Sequence, residues 1–386
     1  MQKIAFNKPY FSGKEKRYIT DALERESISG DGFYTKKVSD FLENNFDLNK
    51  VLMTTSATHA LEMAVQLLEL KKGDEVIMPS FTFSSTANAV LKAGAAPVFA
   101  EIKPQTFNLD PADFKAKITA KTKAVIPVHY AGISCEMDQI KKIAAENEIK
   151  IIEDAAHAVN SFYQGKAAGS LGDFGCYSFH GSKNFVSGEG GALIINPAQK
   201  QLLQKAEIIR EKGTNRSRFL RGEIDKYSWV GEGSSYLPSD ILMALLFAQL
   251  EEMDYITEER KKVFDYYNQN LKEFLSSDFL EKLPVVPPDR DSNYHIYYLE
   301  FKNKKIRDFV LKELRLRGIE AAFHFQPLHG SPMGKKLGYK KGDLKLTVKA
   351  AETMLRLPIY PKLLQADLEY IIKNLIEIFY QLNRQV

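Results

Sequence analysis

The chain has 386 residues, 44% of them apolar, with 53 Lys and Arg against 49 Asp and Glu. That length exceeds one ordinary domain, and the apolar share excludes disorder as the main state. A net charge of +4 calls for neither nucleic acid nor membrane, and Cys135 and Cys176 alone exclude a disulfide framework or a four-cysteine zinc site. The opening MQKIAFNKPYFSGKEKRY has no signal-peptide core and no apolar run reaches the roughly 18 residues of a spanning helix, so a soluble, cytoplasmic protein is expected.

In chain order, short apolar runs predict strands at Val51–Thr54, Glu75–Met78, Pro97–Phe99, Ala124–Val128, Lys150–Glu153, Gly175–Ser178 and Gly191–Ile195. Amphipathic stretches fall between them. Thr58–Leu70 sets Leu61, Ala64, Leu67 and Leu68 on one face, and Met137–Asn147 is patterned alike. Strands alternating with helices predict a mostly parallel α/β sheet, with ligands beyond the carboxyl ends of its strands. After Asp240 the pattern changes. Ile241–Leu271 reads as one long helix, apolar at its start and charged later. A turn-rich PVVPPDRDSN, a strand at His295–Phe301 and helices at Lys305–Arg317 and Ala366–Leu382 follow. Two units are expected: a large α/β domain over 1–250, with an N-terminal segment, and a smaller α+β domain over 251–386. No internal repeat or low-complexity tract interrupts them.

Three segments stand where chemistry would be. Thr54-Thr55-Ser56-Ala57-Thr58 joins a strand to a helix, and small residues there leave the helix's first amides open to a phosphate. The same residues equally suit an ordinary helix cap. Ile151-Ile152-Glu153-Asp154 ends a buried strand on a carboxylate, which suits a metal, a ribose hydroxyl, a protonated ring nitrogen or a cap. In Cys176-Tyr177-Ser178-Phe179-His180-Gly181-Ser182-Lys183-Asn184, a lysine stands between two strands, followed by Gly188, Gly190 and Gly191. A desolvated lysine can act as an amine nucleophile toward an aldehyde. Together, a phosphate cradle, an aspartate and a lysine 29 positions later are what pyridoxal 5'-phosphate requires.

On MPSFTFSSTANAV, IPVHYAG, IIEDAAHAV, FGCYSFHGSKN, GEGGALI, QPLHGSP and LRLPIYP, the chain resembles, end to end, the DegT/DnrJ/EryC/StrS sugar aminotransferases. These are fold-type I, aspartate aminotransferase-like, pyridoxal phosphate enzymes. The stretch IIREKGTNRSRFLRGEIDKYSWVGEGSSYLPSD is similar to the branch that converts dTDP-4-keto-6-deoxyglucose to dTDP-4-amino-4,6-dideoxygalactose. The resemblance implies that Lys183 carries the cofactor and the proton, with Asp154 on the pyridine nitrogen. His157 stands where relatives commonly have glutamine beside the phenolic oxygen. Ala57, Thr58 and Ser178, with Ser56 in the same segment, would hold the phosphate, and Phe83 would stack on the ring. Ser235 replaces an asparagine that many relatives supply from the partner subunit. His329, in Gln326–Pro332, falls where relatives contact the hexose.

Among the other candidates, Arg216, Arg218 and Arg221 beside Phe219, Tyr227 and Trp229 read as a diphosphate clasp or as a solvated basic loop. The seven histidines have no helical zinc spacing, so no metal site is expected, and His59 and His129 read as structural. The expected activity is transamination of a nucleotide-linked 4-keto-6-deoxyhexose, with L-glutamate as the donor that the resemblance implies. The expected assembly is a homodimer with shared sites, implied by the relatives and by the nearly all-apolar run 241–247. The chain's own core would cover that run equally well. Three alternatives stand beside this reading: a related dehydratase, which Lys183 opposes because those enzymes have histidine there; a transaminase for a 3-keto or GDP-linked sugar; and a non-catalytic regulatory protein.

Overall fold

The computed structural model describes residues 3–196 and 199–383. Its central layer is built from β1 (Val51–Thr54), β2 (Glu75–Pro79), β3 (Ala96–Ala100), β4 (Thr122–Val125) and β5 (Lys150–Asp154). A small hairpin follows, β6 (Phe162–Tyr163) and β7 (Lys166–Ala167), and then β8 (Phe174–Ser178) and β9 (Gly191–Ile195). The seven-stranded sheet runs β1-β9-β8-β5-β4-β2-β3. From β3 to β8 neighbours are parallel, whereas β9 is antiparallel to both β8 and β1. Strands such as β8 and β9 are buried at every residue, which fits a sheet covered on both faces. The helices Ala57–Leu67, Ser84–Lys92 and Met137–Glu146 form part of that cover and pack their buried faces on it.

The second half brings β10 (Leu280–Lys282), β11 (Arg290–Asp291), β12 (Tyr297–Phe301) and β13 (Met354–Leu357). β10, β12 and β13 form an antiparallel sheet, and the helices Lys304–Leu316 and Gln365–Asn383 pack on it around Leu299, Phe301, Leu355, Ile371 and Phe379. β11 pairs with β6, tying the halves together. Ile4 bridges to Ile319 and is buried in this second core.

The expected long helix is instead two, Asp240–Leu250 and Met253–Leu271. The break at Glu251–Glu252 follows from packing against different neighbours. The first helix lies against Lys14–Glu24 and Phe33–Phe46, two helices absent from the sequence reading, and the second enters the C-terminal core through Tyr267 and Leu271. The all-round apolar pattern is explained in part. Met243, Ala244, Leu246 and Leu250 are buried by the chain itself. Ile241, Leu242, Leu245 and Phe247 are only partly buried, so the chain's own core covers part of the run. No helix among the described residues is long and apolar enough to cross a membrane.

Candidate active site

Beyond the carboxyl ends of β5 and β8 lies a cavity of about 420 Å³. Asp154, the last residue of β5, enters it and is 5% exposed. Thr86 Oγ1 donates to its Oδ2 at 2.8 Å, and the Ala156 amide donates to Oδ1 at 3.2 Å. Burial raises its pKa, opposed by these two donors and by the Lys183 charge. A cation placed against it would reverse that direction.

Lys183 lies in the turn between β8 and β9, held where the Gly181 amide donates to the Gly188 carbonyl and the Lys183 amide to that of His180. The next residue anchors the turn from the other side. Asn184 donates to the Asn293 carbonyl at 2.7 Å and receives His295 Nδ1 at 2.8 Å. Asn293 in turn donates to the carbonyls of His157 and Val159. Lys183 and the 157 segment are thus fixed to one post. Burial pulls the lysine's pKa down to about 8, with Asp154 opposing and Arg356 reinforcing.

At the opposite wall the helix Ala57–Leu67 points its N-terminus into the cavity. Ser56 Oγ accepts from the His59 amide at 3.2 Å, so the cap reading of this serine holds. The Ala57 and Thr58 amides have no helix carbonyl to reach and remain donors for an anion. Cap and cradle coexist. Gly191 makes this possible: a Cβ there would stand 2.3 Å from the Ser56 carbonyl carbon and 2.4 Å from the Ala57 nitrogen. Ser178 lines the same end, and Phe83, 63% exposed, presents its ring at the cavity.

His157 also lines the cavity, and its buried Nδ1 has no hydrogen-bond partner. Its ring lies 4.6 Å from that of His295 and 6.0 Å from that of His324. Burial, then the Lys183 charge, holds the pKa of His157 and His295 well below the usual imidazole value; burial and Arg356 do the same for His324. The aspartate, the lysine, the helix N-terminus and the orphaned imidazole fit pyridoxal phosphate: one acid for the ring nitrogen, one amine, one anion cradle. Among the described residues no cluster could hold a metal ion.

Ser56, Ala57, Thr58, Phe83, Asp154, His157, Ser178 and Lys183 are therefore brought together, and the other candidates are not. His329 corrects the expectation of a sugar contact. It is fully buried outside the cavity, with Nδ1 2.7 Å from Ser80 Oγ and Nε2 3.2 Å from the Lys341 carbonyl, so both ring nitrogens serve the fold. Arg216, Arg218 and Arg221 also lie outside, paired with Glu211, Glu223 and Glu207. Ser235 is exposed, bridged to Glu211. The sequence reading missed Arg260, His295, His324 and Arg356, all cavity-lining. Only LRLPIYP offered a signal, through its arginine.

The profile of the DegT/DnrJ/EryC1/StrS aminotransferase family matches residues 9–376. The chain belongs to this family. Among its relatives is a GDP-perosamine synthase of Caulobacter vibrioides, 32% identical over 97% of this chain and 98% of the other. Another, from Geobacillus stearothermophilus, is named a pleiotropic regulatory protein and is 33% identical over 94% and 93%. Among solved structures, the PLP form of Streptococcus pneumoniae Spr1654 superposes with a TM-score of 0.90 at 27% identity, covering 98% of this chain and 99% of that one. A PMP form of the same protein gives 0.91, with coverage of 100% and 99%. The architecture of this family member is that of fold-type I pyridoxal phosphate enzymes, a large mostly parallel sheet with a smaller α+β part.

Proposed function

We propose that this DegT/DnrJ/EryC1/StrS aminotransferase transfers an amino group from L-glutamate to C4 of a nucleotide-linked 4-keto-6-deoxyhexose. The observation that carries the reading is a buried Asp154 and a low-pKa Lys183 in one cavity that a helix N-terminus closes. Pyridoxal phosphate is the cofactor; bound there, it supplies an electron sink for the carbon that loses its proton. Asp154, oriented by Thr86 and Ala156, keeps the pyridine nitrogen protonated. The Ala57 and Thr58 amides, with the Ser56 and Ser178 hydroxyls, take the phosphate, and Phe83 covers the ring. His157, neutral and with Nδ1 unpaired, meets the phenolic oxygen. Lys183 takes the proton from the donor's α-carbon and, in the second half-reaction, delivers one to C4 of the sugar. An amine near pKa 8 suits both directions of that transfer.

The dTDP-linked sugar of the galactose series is the preferred substrate, supported by the 208–240 stretch. A GDP-linked sugar is the second reading, supported by the relative named a GDP-perosamine synthase. For the nucleotide end we place Arg216, Arg218 and Arg221 at a dimer interface, with Ser235 completing the partner's phosphate site. Phe219, Tyr227 and Trp229 beside them are 39%, 50% and 79% exposed, as an unmade interface would be. The domain division near residue 250 is part of the same reading.

The test is incubation of the purified protein with glutamate and a panel of dTDP- and GDP-linked 4-keto and 3-keto sugars, with products identified by NMR. The expected product is the 4-amino sugar of galacto configuration from the dTDP substrate. A yellow, borohydride-fixable protein that aminates none of them would favour the regulatory reading.

A further inference from the structure

The residue after Lys183 decides where one of the cavity's imidazoles carries its proton. Asn184 Nδ2 donates to the Asn293 carbonyl at 2.7 Å, so its Oδ1 is the atom that faces His295 Nδ1 at 2.8 Å. An amide oxygen only accepts, which puts the ring proton of His295 on Nδ1. Nε2 is left as a bare lone pair, with no donor to it among the described residues. Turning the ring over would give up the bond to Asn184, and the backbone beneath is held from two sides. The His295 amide donates to Asn293 Oδ1 at 3.1 Å, while Arg260 places Nε on the Tyr294 carbonyl at 3.1 Å and Nη2 on that of His295 at 2.7 Å.

His295 is buried and lines the cavity. Burial, then the Lys183 charge, keeps the ring neutral, so Nε2 stays an acceptor at neutral pH. The ring packs 4.6 Å from that of His157. It stands with the amine rather than with the phosphate cradle at Ala57 and Thr58. An enclosed acceptor without a donor is costly until a ligand brings one. Two carbons react beside Lys183 in turn. The donor's α-carbon carries a carboxylate and a methylene group, neither with a proton to share at neutral pH, and its amine is the group that is transferred. C4 of the ketosugar is flanked by C5, which bears a methyl group and the ring oxygen, and by C3, which bears a hydroxyl. Among these neighbours the C3 hydroxyl alone can donate.

We propose that His295 Nε2 accepts a hydrogen bond from the hydroxyl next to the ketone, which makes His295 a specificity-determining residue for α-hydroxyketone sugars. Asn184 is the positioning residue that keeps the lone pair turned to the cavity. The inference rests on the transaminase reading above. It also separates the two half-reactions, because the acceptor is engaged only while the sugar is bound.

The test runs the two half-reactions of the holoenzyme separately by absorbance, with glutamate in one and a pair of ketosugars in the other. The pair is dTDP-4-keto-6-deoxyglucose and its 3-deoxy counterpart, or the same two sugars linked to GDP. Wild type should use the hydroxylated sugar roughly 10- to 100-fold better in kcat/KM, the scale for leaving an enclosed acceptor unpaired. His295→Asn keeps a donor where Nδ1 was and removes Nε2. It should lose that preference by falling to the level of the 3-deoxy sugar, with the 3-deoxy rate and the glutamate half-reaction unchanged. His295→Gln, which sets an amide oxygen where Nε2 was, should recover part of the preference. Equal use of both sugars by wild type overturns the acceptor and leaves the transaminase reading standing. A preference that survives in His295→Asn also overturns it, as does an equal loss in both half-reactions, which would make His295 structural. A wild-type holoenzyme inert toward glutamate and every sugar overturns the transaminase reading itself.

Discussion

Gly191→Ala tests whether the phosphate cradle depends on close approach of two backbones. The new methyl would lie 2.3 Å, 2.4 Å and 2.6 Å from the Ser56 carbonyl carbon, the Ala57 nitrogen and the Ser56 oxygen. Ordinary carbon contacts are about 3.5–4.0 Å, so β9 or the helix start at Ser56–Ala57 must give way by more than ~1 Å. Both are held: Gly191 pairs with Thr54 on one side and Ser178 on the other, and Ser56 accepts from the His59 and Ala60 amides. Forcing the pair apart should cost about 1–3 kcal/mol of stability, the range for overpacked interiors. It also turns the Ala57 and Thr58 amides off the phosphate. Losing one charge-assisted hydrogen bond of about 1.5–3 kcal/mol weakens cofactor binding roughly 10- to 100-fold. Equilibrium dialysis against pyridoxal phosphate, with urea denaturation of the apoenzyme, measures both quantities. Cofactor affinity within twofold of wild type, at unchanged stability, would refute the reasoning.

Lys183→Ala should abolish transamination with the fold intact, and steady-state turnover near wild type would defeat the assigned role. In the apoenzyme the same lysine predicts a pH effect. From about pH 8 to its ordinary 10.5 the unfolded chain holds a proton that the folded one does not, so its penalty, fully present below about 8, fades as pH rises. The stability difference between wild type and Lys183→Ala should accordingly move in favour of wild type across that window; a flat difference would show that the amine titrates normally. Asp154→Asn should weaken cofactor retention and slow both half-reactions in stopped flow, because an amide cannot hold the ring nitrogen protonated; matching rates would make Asp154 structural. His329→Ala should cost about 1–3 kcal/mol by orphaning Ser80 and the Lys341 carbonyl, with the nucleotide-sugar KM unchanged; a raised KM at native stability would return this histidine to the sugar. Ser235→Trp protein should be inactive alone and regain some activity when mixed with Lys183→Ala subunits, as shared sites require; full activity of Ser235→Trp protein on its own would show that each subunit works alone.

Asp154 was legible because it closes a strand of the parallel sheet, where a short apolar run ending in a polar residue is a local signal, and Lys183 because it stands among small and turn residues between two strands. The strand reading ended at Glu153 and the observed β5 ends one residue later, at Asp154 itself. The phosphate end was legible for the same reason, as a strand running into a helix through small residues. Arg260, His295, His324 and Arg356 were not. They reach the cavity from the second half of the chain, through packing that no local pattern encodes. The resemblance set His329 at the hexose, and only the contacts with Ser80 and Lys341 reveal that its ring is engaged inside the fold. The helix over 241–271 was drawn too long because periodicity does not record a change of neighbour.

The cavity wall takes Phe6 and Asn7 from the first turns of the chain and Arg356 and Ile359 from its last strand region, while Ile4 is sewn to Ile319. During synthesis, then, the lysine waits. Arg356 is made roughly 170 residues after Lys183, which at ~5–20 residues per second is on the order of 10–35 s. Until that strand docks, the wall around the amine lacks Arg356 and Ile359. The pocket that buries the amine is therefore complete only when residues from both halves of the chain have met.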